Sequence, residues 1–77
     1  MDKYFLRIYN LPDDISKHDL INLLDDFASI KNVFLAQEND KLCGWAWIEF
    51  YNQDDMNKIY ENFNKYEWKS HCLRIIK

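Results

Sequence analysis

One glycine, one proline and two cysteines serve all 77 residues of this chain, and each scarcity narrows what it can be. So little glycine and proline excludes collagen-like repeats and flexible low-complexity tracts. Cys43 and Cys72 lie far apart, without CxxC spacing or paired histidines nearby, so neither a zinc site nor a disulfide framework is indicated and both read as reduced thiols. No apolar run is long enough to cross a bilayer, and Met1-Asp2-Lys3-Tyr4 lacks the basic, apolar, small-residue layout of a secretory signal. An intracellular compartment, with no membrane partner, is the expectation. Basic charge is scarce too: 10 Lys and Arg stand against 13 Asp and Glu, a net charge of −3 at pH 7. That balance counts against a polyanionic partner unless the two signs are segregated in space.

What the chain has in quantity is large apolar side chains, 48% hydrophobic and 17% aromatic. These exclude disorder and suffice for one small core, so residues 1–77 are expected to form a single domain and a monomer. Tyr4 to Leu11, YFLRIYNL, reads as a first strand stopped by Pro12 and the turn Asp13-Asp14. Ser16 with Asp19 three residues on makes a capping box, and Leu20, Leu23, Leu24 and Phe27 follow at helical spacing. Ile30 to Ala36 and Leu42 to Tyr51 are β-rich and are joined through Glu38-Asn39-Asp40-Lys41 as a hairpin. Asp54 and Asp55 favour a second helix start, with Met56, Ile59, Tyr60 and Phe63 on one face. Asn64 to His71 reads as irregular, and Leu73 to Ile76 as a last short strand. The order is βαββαβ.

The single glycine falls in the third strand, inside Cys43 to Phe50, CGWAWIEF. This segment resembles the RNP octamer of the RNA recognition motif, whose pattern is basic, Gly, aromatic, Gly or Ala, aromatic, aliphatic, any, aromatic. Gly44, Trp45, Ala46, Trp47, Ile48 and Phe50 match; Cys43 departs, standing where the family has Lys or Arg. Leu6 to Leu11, LRIYNL, resembles the partner hexamer of that family, with Arg7 in the place of a stacking ring. A guanidinium plane can also stack on bases. The spacing LP-x-x-I-x-x-x-x-L-x-x-L-L-x-x-F from Leu11 to Phe27 is similar to the family's first helix, so the resemblance covers nearly the whole chain. It implies an α+β, ferredoxin-like βαββαβ sandwich: a four-stranded antiparallel sheet in the order 4-1-3-2 with both helices on one face. It also implies single-stranded RNA as partner and a place in RNA processing or mRNA metabolism, with the nucleus favoured over the cytoplasm.

Alternation along such strands divides the residues independently of the resemblance. Leu6, Ile8, Val33, Leu35, Ala46, Ile48, Phe50, Leu73 and Ile75 fall on the side of the helices, whereas Phe5, Arg7, Tyr9, Phe34, Cys43, Trp45, Trp47, Glu49, Arg74 and Ile76 fall on the open side. The opposite register would bury the tryptophans but deprive the helices of aliphatic partners. Five aromatics on one open face form an interaction surface. Trp45 and Trp47 are the expected stacking residues, Tyr9 and Phe34 extend them, and Arg7, Lys41 and Arg74 are placed to meet phosphates or base edges. Asp13, Asp14, Asp19, Asp25, Asp26, Asp54, Asp55 and Glu61 belong to the helix side, while Lys3, Arg7, Lys31, Lys41, Arg74 and Lys77 lie on or beside the sheet against Glu38, Asp40 and Glu49. Modest affinity and a shallow salt dependence are therefore expected. Trp68 reads as a packing residue and His71 as a marginal nucleic-acid contact. No catalytic constellation, metal site or cofactor is indicated, so the chain is not expected to be an enzyme. The alternative on the same fold is a protein-interaction module with little or no RNA binding.

Overall fold

Alternating apolar residues in the strands and an amphipathic period in the helices let one face of a sheet bury both helices, and that is the arrangement in the computed structural model, which describes residues 3–77. The main elements are β1 (Tyr4–Tyr9), α1 (Lys17–Leu24), β2 (Ile30–Glu38), β3 (Lys41–Phe50) and α2 (Gln53–Phe63). They are followed by three short strands, β4 (Glu67–Trp68), β5 (His71–Cys72) and β6 (Arg74–Ile76). Sheet order is β2-β3-β1-β6 with antiparallel neighbours throughout, the expected 4-1-3-2 order read from the other edge. Leu6, Ile8, Val33, Ala46, Ile48, Phe50, Leu73 and Ile75 from the sheet are buried against Leu20, Leu24, Ile59 and Phe63 from the helices.

Local sequence sets both helix starts. The Ser16 side chain accepts from the Asp19 N–H at 3.2 Å, and the Asp19 carboxylate accepts from the Ser16 N–H at 2.8 Å, closing the capping box. That second bond, from the Ser16 backbone, is the main reason the Asp19 carboxyl titrates below its ordinary value. A depressed carboxylate stabilises the fold above its unfolded value and loses that contribution as pH falls through its folded value. Urea unfolding of wild type should therefore weaken more steeply than that of Asp19→Asn between about pH 5 and about pH 2; parallel declines would contradict the cap's contribution. At α2 the start is Asn52, whose Oδ1 accepts from the Asp55 N–H at 2.8 Å, just ahead of the acidic pair that marked it in the sequence.

Gly44 adopts φ +83°, a region that costs an L-residue about 1–2 kcal/mol. The conformation sits where β3 slips against β2, between the pairings Leu35 with Ala46 and Gln37 with Leu42, and the Gly44 carbonyl accepts from the Leu11 N–H at 2.8 Å. Gly44→Ala should thus lower unfolding stability by about 1–2 kcal/mol, read from the urea midpoint. An unchanged midpoint would show that the backbone relaxes there freely.

Several expected boundaries shift. β1 ends at Tyr9 and not at Leu11, because Asn10 turns to φ 66° and breaks the extended run. α1 ends at Leu24, so Phe27 lies past the helix with its ring against Phe63 at 5.0 Å. The stretch after α2 is not irregular: Glu67 to Cys72 form a small hairpin, turned by Lys69 and Ser70 at φ 50° and 69°. Neither turn residue is glycine or asparagine, so the turn carried no local signature. Cys72 consequently belongs to this hairpin and does not begin the last sheet strand; both cysteines are free.

Candidate nucleic-acid interface

The open face of the sheet carries four of the five predicted aromatics in two rows, with Phe5 in a third beside Glu49. β1 and β3 pair so that Tyr9 faces Trp45, Arg7 faces Trp47 and Phe5 faces Glu49. β2 adds Phe34 beside Trp47, and β6 adds Arg74 beside Tyr9 and Ile76 beside Arg7. One row therefore reads Phe34, Trp47, Arg7, Ile76, and the next Trp45, Tyr9, Arg74. Period-2 alternation puts these side chains together, and antiparallel register decides which touch.

The rings form a connected surface. Tyr9 stacks on Trp45 with centroids 5.9 Å apart and planes at 26°. Trp45 lies 6.0 Å from Trp47, and Phe5 meets Trp47 edge-on at 6.3 Å. Phe34 is 54% exposed and Trp47 45%, while Trp45 is half-buried. Trp47 stands as a ridge between two apolar depressions, one of about 290 Å³ lined by Phe5, Arg7 and Trp47 and one of about 220 Å³ lined by Phe34, Leu35, Ala36, Trp45 and Trp47. Arg7 is exposed, and its Nη1 reaches 3.5 Å from the Tyr9 hydroxyl, which sets the guanidinium beside Tyr9 on β1.

The predicted residues are not all gathered. Arg7, Tyr9, Phe34, Trp45, Trp47 and Arg74 share this surface, but Lys41 lies at the tip of the β2–β3 hairpin beside Glu38, about 13 Å along the strand from Trp45 at the usual rise per residue. Two charges expected at the open sheet cancel: Glu49, only 9% exposed, accepts from Asn32 Nδ2 at 2.8 Å and has Lys31 Nζ at 3.8 Å. Lys77 is not at the open face. Its ammonium turns back to α2, 4.7 Å from the Tyr60 ring centre and 3.1 Å from Asn57 Oδ1. His71 has its Nδ1 at 3.1 Å from the Asn10 carbonyl, so that nitrogen is engaged within the fold, and Trp68 packs against the core. Phe5 and Ile76, placed on the open side by strand parity but not named among the expected RNA contacts, also line this surface.

Among the described residues no cluster of three or more His, Cys, Asp or Glu is arranged to hold a metal ion, and no helix is long and apolar enough to cross a membrane. The arrangement offers flat π surfaces with a few cations at their edges, which suits stacking.

Comparison with known proteins agrees with this geometry. The chain is 31% identical over 75 residues to one of the subunits of eukaryotic translation initiation factor 3 in Schizosaccharomyces pombe, covering 95% of this chain and 27% of that protein. It is 30% identical over 71 residues to polyadenylate-binding protein 7 of Arabidopsis thaliana, covering 91% of this chain and 12% of that one. The chain thus spans about a quarter or less of the length of these relatives. Among solved structures, the RRM3 domain of Gbp2 superposes with a TM-score of 0.84 at 30% identity, over 92% of this chain and 71% of that one. The RNA15 RRM gives 0.91 at 18% identity over 100% and 91%, a likeness of fold. The sequence profile of the RNA recognition motif matches residues 6–74, which contain both helices and all but the outermost residues of the sheet, and the chain belongs to the RNA recognition motif family.

Proposed function

We propose that this chain binds single-stranded RNA on the open face of its sheet. Trp45 and Trp47 stack bases, Tyr9 and Phe34 widen the stacking surface, and Arg7 and Arg74 meet phosphates or base edges from its β1 and β6 side. Lys41, at the hairpin tip, contacts only RNA long enough to run past Trp45. The observation that carries this reading is the connected surface of four rings, Phe5, Trp47, Trp45 and Tyr9, with Trp47 raised between two apolar depressions and Phe34 lining one of them. Stacking is sequence-tolerant and needs little charge, so it accommodates a net charge of −3. Two related structures with RNA bound, a Sex-lethal complex and RNA15 with a GU ligand, support RNA as the partner class. The two full-length relatives point to mRNA metabolism or translation as the setting. Residues 1–77 act in this reading as one binding domain without enzymatic activity. Titration of a labelled short RNA, followed by anisotropy, tests it; saturable binding that disappears on loss of both indoles is the expected result.

A second reading, protein docking, draws on the opposite side of the molecule. Phe27 and Tyr66, 45% and 43% exposed, flank the buried Phe63 ring there, and Asp25 and Asp26 adjoin Phe27. Absence of RNA binding by the folded chain, together with capture of a partner lost in Phe27→Ser, would favour it.

A further inference from the structure

A depression of about 660 Å³ lies beside the aromatic sheet at the β6 edge. Its lining holds Lys65, Arg74 and Lys77 with Asn64 and Tyr60, and not one carboxylate side chain. In a chain with three more acidic than basic residues, that is a local reversal of sign. By contrast, the depression between α1 and β2 sets Lys17 and Lys31 against Asp25, and the one at the hairpin tip sets Lys41 against Glu38.

The fold anchors the Lys65 backbone and the Lys77 ammonium at this groove. Lys65 sits at φ 70°, its N–H donating to the Leu73 carbonyl at 2.7 Å and its carbonyl facing the Cys72 thiol at 3.7 Å, so the base of its side chain is fixed at the groove wall. The Lys77 ammonium rests over the Tyr60 ring and donates to Asn57. Among the described residues none of the three cations is in a salt bridge, and the one ion pair found there is Lys31 with Glu49. The groove is also closed to an added β-strand, because Asn64 Oδ1 already accepts from the Ile75 N–H at 3.0 Å on the outer edge of β6. A ligand there is held by side chains, and three cations with no carboxylate side chain in the lining call for an anion.

Continuity identifies the anion. Arg74 and Ile76 line the groove and also belong to the two aromatic rows, beside Tyr9 and Arg7. We infer that the phosphodiester backbone of an RNA strand stacked on the sheet passes over β6 at Arg74 and continues into this groove, where Lys65 and Lys77 bind its phosphates. The inference rests on the proposed RNA binding by the sheet. It assigns a second, purely electrostatic segment to the site, reached only by RNA longer than the sheet itself accommodates.

The test compares fluorescein-labelled oligouridylates of about four and about ten nucleotides, binding to wild type and to the Lys65→Gln, Lys77→Gln double variant, over a range of salt. Each single-strand phosphate contact contributes about 0.7 to the slope of log affinity against log salt. For the long oligomer the variant should lose about 1.4 from that slope and roughly tenfold in affinity near physiological salt, while the short oligomer binds both proteins alike. Equal slopes and affinities with the long oligomer would overturn the groove assignment. Amide and side-chain NMR shifts of wild type with the long oligomer give the answer without a variant. Shifts at the tryptophans together with Lys65, Arg74 and Lys77 support the inference. Shifts at the tryptophans alone overturn it and leave the sheet reading standing, whereas shifts at neither remove the sheet reading as well.

Discussion

Replacing Trp45 and Trp47 together with alanine is expected to lower RNA affinity by about 30-fold to about 20,000-fold. The range follows from about 1–3 kcal/mol for each stacked base, doubled, with each 1.4 kcal/mol worth a factor of ten. The two rings should contribute differently. Trp47 is the more exposed and borders both depressions, so its loss removes stacking area from either side. Trp45 is stacked against its cross-strand neighbour Tyr9 at 5.9 Å, and a ring already held in place loses little freedom when a base settles on it. Trp47→Phe retains a π face and should recover part of the affinity that Trp47→Ala loses. Anisotropy titration of a labelled RNA measures all of these, with circular dichroism to establish that each variant is folded. A folded double variant that binds as tightly as wild type would remove stacking from the mechanism.

Phe50→Ala is expected to reduce unfolding stability by about 3–5 kcal/mol, the ordinary cost of emptying a buried phenylalanine site. For 77 residues the whole stability amounts to about 4–12 kcal/mol, so the variant sits at or near the threshold of folding. Phe50 lies in the same strand as Trp47, three residues on, yet it is buried under the sheet against the helices while Trp47 stands above it. Trp47→Ala should accordingly change stability by about 1 kcal/mol or less. The pair of measurements, urea midpoint and RNA affinity, separates the two roles: Phe50 governs stability and Trp47 governs binding. A Phe50→Ala protein as stable as wild type would mean that the register of β3 is wrong.

That opposition between neighbouring aromatics was legible in the sequence, because a strand repeats every two residues and only one parity supplies the aliphatic partners the helices require. The hairpin turn at Asn39-Asp40 and the cap at Ser16 were equally legible, since each depends on residues within three or four positions. The end of β1 was less so. Asn10 takes a left-handed conformation because β1 ends there and the next N–H, that of Leu11, is bonded to Gly44 across the sheet, a partner 33 residues away. The hairpin at Glu67 to Cys72 was missed for a related reason: the Leu73 and Tyr66 backbones bond across its base, and its turn residues carry no preference of their own.

Charge shows the same division. Counting residues on each strand placed Lys31, Glu49 and Lys77 at the open sheet, but side chains with several rotatable bonds choose partners by proximity in space. Glu49 is enclosed by Asn32 and Lys31, and Lys77 reaches back to Tyr60 and Asn57. The sequence by itself determined the element types, the inward and outward sets, and the five rings of the open face, because helical and strand periods and turn chemistry are local. Only the tertiary structure decided that Tyr9 stacks on Trp45, that Trp47 becomes a ridge, and that Lys65, Arg74 and Lys77 line one groove free of carboxylate side chains. Those contacts depend on how register and loop closure bring separate elements together, and no local period encodes them.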